Sequence, residues 1–348
     1  MSYSRFYTLD ALRGVAAICV LFFHAIRIGV DHSSFFSQNG FLAVDFFFQL
    51  SGFVVAFAYE EKLRTGSMGL ADFAAARFIR LYPMIFMGAV IGGTVFFTSN
   101  TLSISGARDV VLAFLCLPRL SWEGLFPVNG PFWSLFFELF ANAVFAVAVA
   151  FAAGRRTLIA TLLLSLAALC AAAFYFGSFD FGWRRQNFLA GFPRVGFSFA
   201  LGVAIYHATR IIPIPKTHPS LWIVILFGAL AWPWGARAYS LFCIAGLFPT
   251  IILFASNSKP RGLLLWTAEK LGDLSYPLYA THFPLLPVAL FVGKLFGVDG
   301  TAAYLILSCA VLIGLGFAFA RFWDAPIRVA LRKRLYERQV KRLQPQLG

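Results

Sequence analysis

The sequence predicts an all-α polytopic membrane protein with about ten transmembrane helices and both termini in the cytoplasm. Three observations lead there. Of the 348 residues, 60% are hydrophobic, 13% are charged and 42 are Phe, a composition that a water-facing domain of this length could not solvate. Apolar stretches of about twenty residues, enough to cross roughly 30 Å of hydrocarbon, recur from Leu9 to Phe322 with only short polar connectors. Lys and Arg, finally, are shared unevenly between alternate connectors, as membrane topology requires.

Taken in order, the predicted spans are residues 8–28, 40–59, 81–98, 131–153, 157–176, 191–209, 220–236, 239–256, 274–296 and 301–321. The first contains Arg13 and has no small-residue cleavage site before Ile28, so it reads as a retained helix and not a signal peptide. The stretch Asp109 to Leu117 is apolar but too short to span, and Pro118 follows it; it is expected to be interfacial or re-entrant. One membrane domain, residues 1–322, therefore precedes a basic cytoplasmic tail, residues 323–348.

Of the 29 Lys and Arg residues, Arg13 and Arg194 lie inside the membrane, away from the ends of their spans. With the N-terminus inside, twenty of the others lie on the cytoplasmic side and seven outside, the bias expected of retained loops. Promoting residues 109–117 to a full span would invert every later loop and spoil it. The formal charge of +14 is thus a topology signal plus a tail, Ile327 to Leu343, suited to anionic lipid headgroups. Nucleic acid is not needed as a partner. The five cysteines are scattered through apolar segments without paired spacing, which suggests neither a disulfide framework nor a zinc site.

Ionisable groups inside spans are costly and usually mark a cavity or a partner. Arg13 and His24 are eleven residues apart, three turns plus about 20°, so both lie on one helix face about 16 Å apart along the axis. The plainer alternative pairs Arg13 with Asp10 and leaves His24 as an interhelical hydrogen bond. Asp45 enters at a depth close to that of His24 and is expected to orient its imidazole. Ser51 and Gly52 lie deeper, where close helix packing is the competing account.

In the next polar span, Ser134, Glu138 and Asn142 at i, i+4 and i+8 make a stripe on an apolar helix. Ser275, Tyr279 and His282 at i, i+4 and i+7 repeat the device, and Pro284 and Pro287 after them are expected to break the helix near a cavity. Arg77 and Arg80, at the entrance to the third span, are three apart and suited to phosphate, or equally to topology. Basic groups thus gather at the inner side, with His24, Asp45 and Glu138 toward the outer half. That arrangement suits a phosphorylated cytosolic donor and an acceptor arriving from the other face.

At these residues the chain resembles the acyltransferase-3 family of bacterial membrane O-acyltransferases. The resemblance runs from Leu9-Asp-Ala-Leu-Arg13-Gly with His24, an Arg-x10-His signature, to Phe47-Phe-Gln-Leu-Ser51-Gly52-Phe53. It continues through Arg77-x-x-Arg80-Leu-Tyr-Pro, Trp133-Ser134-Leu-x-x-Glu138, the Phe-containing stretch from Arg194 to Gly202, and Ser275-Tyr276-Pro-Leu-Tyr279-x-x-His282. It implies a ten-helix domain in the bacterial inner membrane that moves an acyl group, acetyl first among them, from cytosolic acyl-CoA to a hydroxyl of an envelope glycan or lipid-linked sugar.

Carried over by residue, the resemblance matches Arg13 and His24 to the family's essential pair and Arg77 with Arg80 to its donor-binding motif. Together with the polar pattern above, the catalytic candidates are His24, Asp45 and Glu138, and the candidates for holding the acyl-CoA donor are Arg13, Arg77, Arg80, Ser51, Tyr276, Tyr279 and His282, with no metal. His24 is expected to act as general base, and direct transfer and an acyl-His24 intermediate both stand open. Some relatives append a periplasmic esterase-like domain; this chain ends on its basic tail and is expected to act alone or to hand its product to a separate enzyme. The rival reading, a secondary transporter or exporter, predicts inverted repeats, and none is found. The sequence leaves the oligomeric state open, a homo-oligomer included.

Overall fold

A computed structural model describes residues 5–29, 38–99, 103–119, 124–298 and 301–343, without the side chains of residues 99 and 338–343. The end of the predicted tail, residues 344–348, lies outside this range. The described residues form thirteen α-helices: α1 (Tyr7–Gly29), α2 (Ala43–Arg64), α3 (Leu70–Ser99), α4 (Ile104–Phe114), α5 (Phe132–Ala150), α6 (Arg155–Phe176), α7 (Gly191–Thr209), α8 (Pro219–Leu230), α9 (Arg237–Phe242), α10 (Phe248–Ala255), α11 (Gly262–Leu295), α12 (Ala302–Phe319) and α13 (Ala325–Leu343). A π-turn, Cys243–Leu247, fuses α9 to α10, and another, Ala320–Asp324, fuses α12 to α13.

Among the described residues nine helical stretches are long and apolar enough to cross a membrane. The seventh predicted span, residues 220–236, is shorter than expected. α8 has 12 residues, about 18 Å at 1.5 Å per residue, and stops ahead of Pro233, whose ring would clash with the preceding turn. α4, with 11 residues, is too short to span, as its sequence predicts, and is capped by Ser103 Oγ, which accepts from the Gly106 amide at 3.1 Å.

Two differences from expectation shape the site. α3 begins at Leu70 and not at residue 81, so Arg77 and Arg80 stand on the helix itself. α11 runs unbroken for 34 residues through Pro277, Pro284 and Pro287. A proline frees the carbonyl four residues earlier, and for Pro284 that is Ala280, whose oxygen accepts from Asn129 Nδ2 at 2.9 Å. The helix survives because a neighbour takes over the lost bond.

α1 packs along α11, and α2 along α7 with α5 beside it. The α2–α7 seam depends on small residues. A Cβ at Gly52 would lie 2.1 Å from the Phe199 carbonyl oxygen, and one at Gly202 would lie 2.0 Å from that of Gln49. The backbones therefore touch where helices without a hydrophobic driving force must rely on close packing. α6 sits on the outside of α7 and buries little beyond Leu169 and Ala173, which makes it a lipid-facing helix. The protein is a multi-pass membrane protein.

Candidate active site

A cavity of about 460 Å³ lies between α1, α2, α3, α5 and α11. It brings together seven of the ten residues singled out from sequence: Arg13, Ser51, Arg77, Arg80, Glu138, Tyr276 and Tyr279. A second cavity of about 430 Å³ shares Arg13, Arg80 and Tyr276 with it and adds Arg328 from α13. Arg332 borders both. The two therefore adjoin, and together they form an arginine-rich recess at one end of the bundle.

Each wall has a local cause. Arg13 is held by Asp10 at 3.0 Å, by Ser275 Oγ at 2.8 Å and by the Gly272 carbonyl at 3.1 Å. The pairing with Asp10 and a place on a cavity wall thus hold together and are not alternatives. Glu138 accepts from Arg77 at 3.1 Å and from Ser51 Oγ at 2.9 Å, which fixes α5 to α3 and α2. The Arg80 guanidinium stands over the Tyr276 ring, 5.4 Å from its centroid, and the Tyr276 hydroxyl donates to the Leu81 carbonyl at 2.7 Å. Tyr279 OH and Ser134 Oγ are 2.6 Å apart. Planar guanidinium groups around a recess with an apolar interior suit a ligand that is anionic at one end and less polar at the other.

His24, Asp45 and His282 line neither cavity. His24 Nδ1 lies 3.0 Å from His282 Nε2, with the ring planes inclined at 29° and Phe283 set edge-on to His24. Tyr279 borders the cavity on one side and the His282 ring on the other, at a centroid distance of 6.0 Å. Phe47, which also lines the cavity, packs edge-on against Tyr279 at 5.4 Å. One layer of rings thus separates the arginine recess from the imidazole pair.

Four expectations are corrected here. Asp45 does not orient His24. Its carboxylate accepts from Arg194 Nη2 at 2.7 Å and from Arg194 Nε at 3.1 Å, and both side chains are fully buried. Arg194 enters α7 at the same depth, and in a dry interior a full opposite charge outcompetes an imidazole for a carboxylate. Glu138 does not stand with His24 either; Arg77, drawn into the bundle by the longer α3, holds it in the arginine recess. His282, placed by resemblance among the donor-binding residues, is instead the hydrogen-bond partner of His24. Arg332, expected in the tail that lies against lipid headgroups, borders both cavities instead.

A family model described as an acyltransferase domain matches residues 6–321. Protein 2 in the picA locus of Rhizobium radiobacter is 35% identical over 187 residues, which is 49% of this chain and 95% of that protein. O-acetyltransferase OatA of Staphylococcus aureus is 25% identical over 359 residues, covering 92% of this chain and 57% of OatA. The chain thus spans little more than half the length of that second relative. No solved structure matches it. The family match runs from the start of α1 to the end of α12 and contains every motif quoted above, and on that ground the chain belongs to the acyltransferase-3 family.

Proposed function

We propose that the protein is a membrane O-acyltransferase that takes an acyl group from cytosolic acyl-CoA and passes it to a hydroxyl of an envelope or exported glycan. The observation that carries this reading is the arginine recess and the imidazole pair set on opposite sides of one ring layer. Arg13, Arg77 and Arg80 hold the donor's phosphates and carbonyl groups, and the thioester end reaches toward Tyr279. His24 takes the acceptor's proton as its oxygen attacks the thioester carbonyl. The new C–O bond forms, the C–S bond breaks, and the proton passes to the departing thiolate. Such proton transfer contributes about 10² to 10⁴ in rate. OatA is named an O-acetyltransferase, which makes acetyl-CoA the first donor to test.

On this reading the arginine recess faces the cytoplasm of a bacterial inner membrane, both termini lie on that side, and the basic residues of the tail that do not line the recess rest on anionic headgroups. The test uses purified protein with labelled acetyl-CoA and a glycan acceptor. His24→Gln, which keeps volume and hydrogen bonding but removes the base, should lower turnover per folded molecule on the order of 10² while keeping acyl-CoA affinity. Full turnover in that variant removes His24 from catalysis. Solute movement without acyl transfer would favour a transporter.

A further inference from the structure

We infer that His282 is a positioning residue that holds His24 in its Nδ1–H tautomer and so leaves Nε2 as the atom that receives the acceptor's proton. This rests on the reading of His24 as the base and adds which nitrogen acts and what sets it. The argument follows the hydrogens. His282 Nδ1 lies 3.0 Å from the Leu278 carbonyl oxygen and 3.0 Å from that of Tyr279. Both come from the preceding turn of α11, and a carbonyl oxygen can only accept. Nδ1 of His282 therefore carries the hydrogen, and its Nε2 offers a lone pair.

The atom facing that lone pair, 3.0 Å away, is Nδ1 of His24. It must donate. The Val20 carbonyl, one turn back on α1, also accepts from the His24 ring; with one hydrogen on Nδ1 turned toward both partners, Nε2 of the neutral ring keeps the lone pair a general base needs. A doubly protonated His282 would reverse the direction of the bond, but it would place a cation at a fully buried position. Among the described residues no carboxylate bonds either ring, and Asp45 is committed to Arg194. An uncompensated buried charge is the costlier state.

Burial divides the roles. His282 is fully buried, while His24 is partly exposed. A substrate hydroxyl can reach the second ring and not the first. When His24 accepts the proton, its Nδ1–H bond to His282 becomes charge-assisted and strengthens, so the pair stabilises the charge that appears during the reaction.

The test compares His282→Phe, which keeps a ring but has no acceptor, with His282→Gln, whose amide can still accept from His24 and donate to the carbonyls. Turnover at saturating acetyl-CoA, normalised to folded protein, should fall at least tenfold in His282→Phe and largely return in His282→Gln, with the Michaelis constant for acetyl-CoA unchanged. Nitrogen-15 spectra of histidine-labelled protein, assigned by subtraction among the five histidines, should show His24 protonated at Nδ1 in the wild type and losing that preference in His282→Phe. A wild-type spectrum with His24 protonated at Nε2 would overturn the inference. So would normal turnover in His282→Phe, or equal losses in both variants with the His24 tautomer unchanged. Full turnover in His24→Gln would instead sink the reading of His24 as base, so the two failures are distinguishable.

Discussion

Removing the Asp45 carboxylate should unfold the protein and not disarm it. Asp45 makes three bonds to Arg194 at 2.7 to 3.1 Å, and a fourth contact comes from Ser198 Oγ at 3.3 Å. In Asp45→Leu the guanidinium keeps, among the described residues, two hydrogen-bond acceptors, the Phe181 carbonyl at 2.8 Å and the Phe41 carbonyl at 3.1 Å, beside the ring of Trp133. Breaking a buried pair from one side costs about 3–5 kcal/mol, because a charge is left unpaired. The unfolded chain in a bilayer also finds partners for its polar groups, which favours the lower figure. A loss of about 3 kcal/mol is on the order of 10² in the folding equilibrium. Fluorescence-detected gel filtration over a heating series should show a large drop in surviving protein, while turnover per surviving molecule stays near normal. Asp45→Leu with Arg194→Met, which removes both charges, should recover most of the loss. A stable Asp45→Leu protein that has lost turnover would refute the reasoning and return Asp45 to the chemistry.

Three other outcomes are expected. In a cysteine-free background, a cysteine in the exposed turn at residues 65–69 should resist impermeant thiol reagents in intact cells and one at Gly106 should react; the reverse labelling would refute the proposed orientation. Arg80→Ala should raise the apparent Michaelis constant for acyl-CoA about tenfold, the effect of losing one charged hydrogen bond of roughly 1.5 kcal/mol, and leave that for the acceptor alone. Unchanged donor dependence would reduce Arg80 to a topology residue. Gly52→Ala should lower thermal stability by about 1–3 kcal/mol through overpacking, since its Cβ would meet the Phe199 carbonyl at 2.1 Å; an unaltered melting profile would mean that α2 and α7 can part freely.

The helices were legible because length and hydropathy are local properties, and α1 and α7 fall within a residue of where the sequence puts them. What was less legible followed from partners. The prolines of α11 read as breaks because nothing in the chain announces that Asn129 will serve the Ala280 carbonyl. Seven site residues converge on one cavity because helical spacing puts each on a single face. The pairing of Asp45 was nevertheless available: it stands third in α2 and Arg194 fourth in α7, two opposite charges at equal depth in spans that start from the same side. The meeting of His24 with His282 was not, because the lateral contact of α1 with α11 leaves no trace in either helix's period.

The ring layer of Phe47 and Tyr279 has a consequence for the membrane as well as for the substrate. Arg13, Glu138, Tyr279, His282 and His24 follow one another along the bundle, and a wet column through them would be a wire for protons. Each charge that leaks across a membrane held at 100 mV dissipates about 2.3 kcal/mol. Packed edge to face at 5.4 Å, the two rings act as a septum that interrupts the column between its carboxylate and its imidazoles. On the proposed function, an acyl group delivered through this bundle would pass an insulator, and a proton gradient across the membrane would be spared a short circuit.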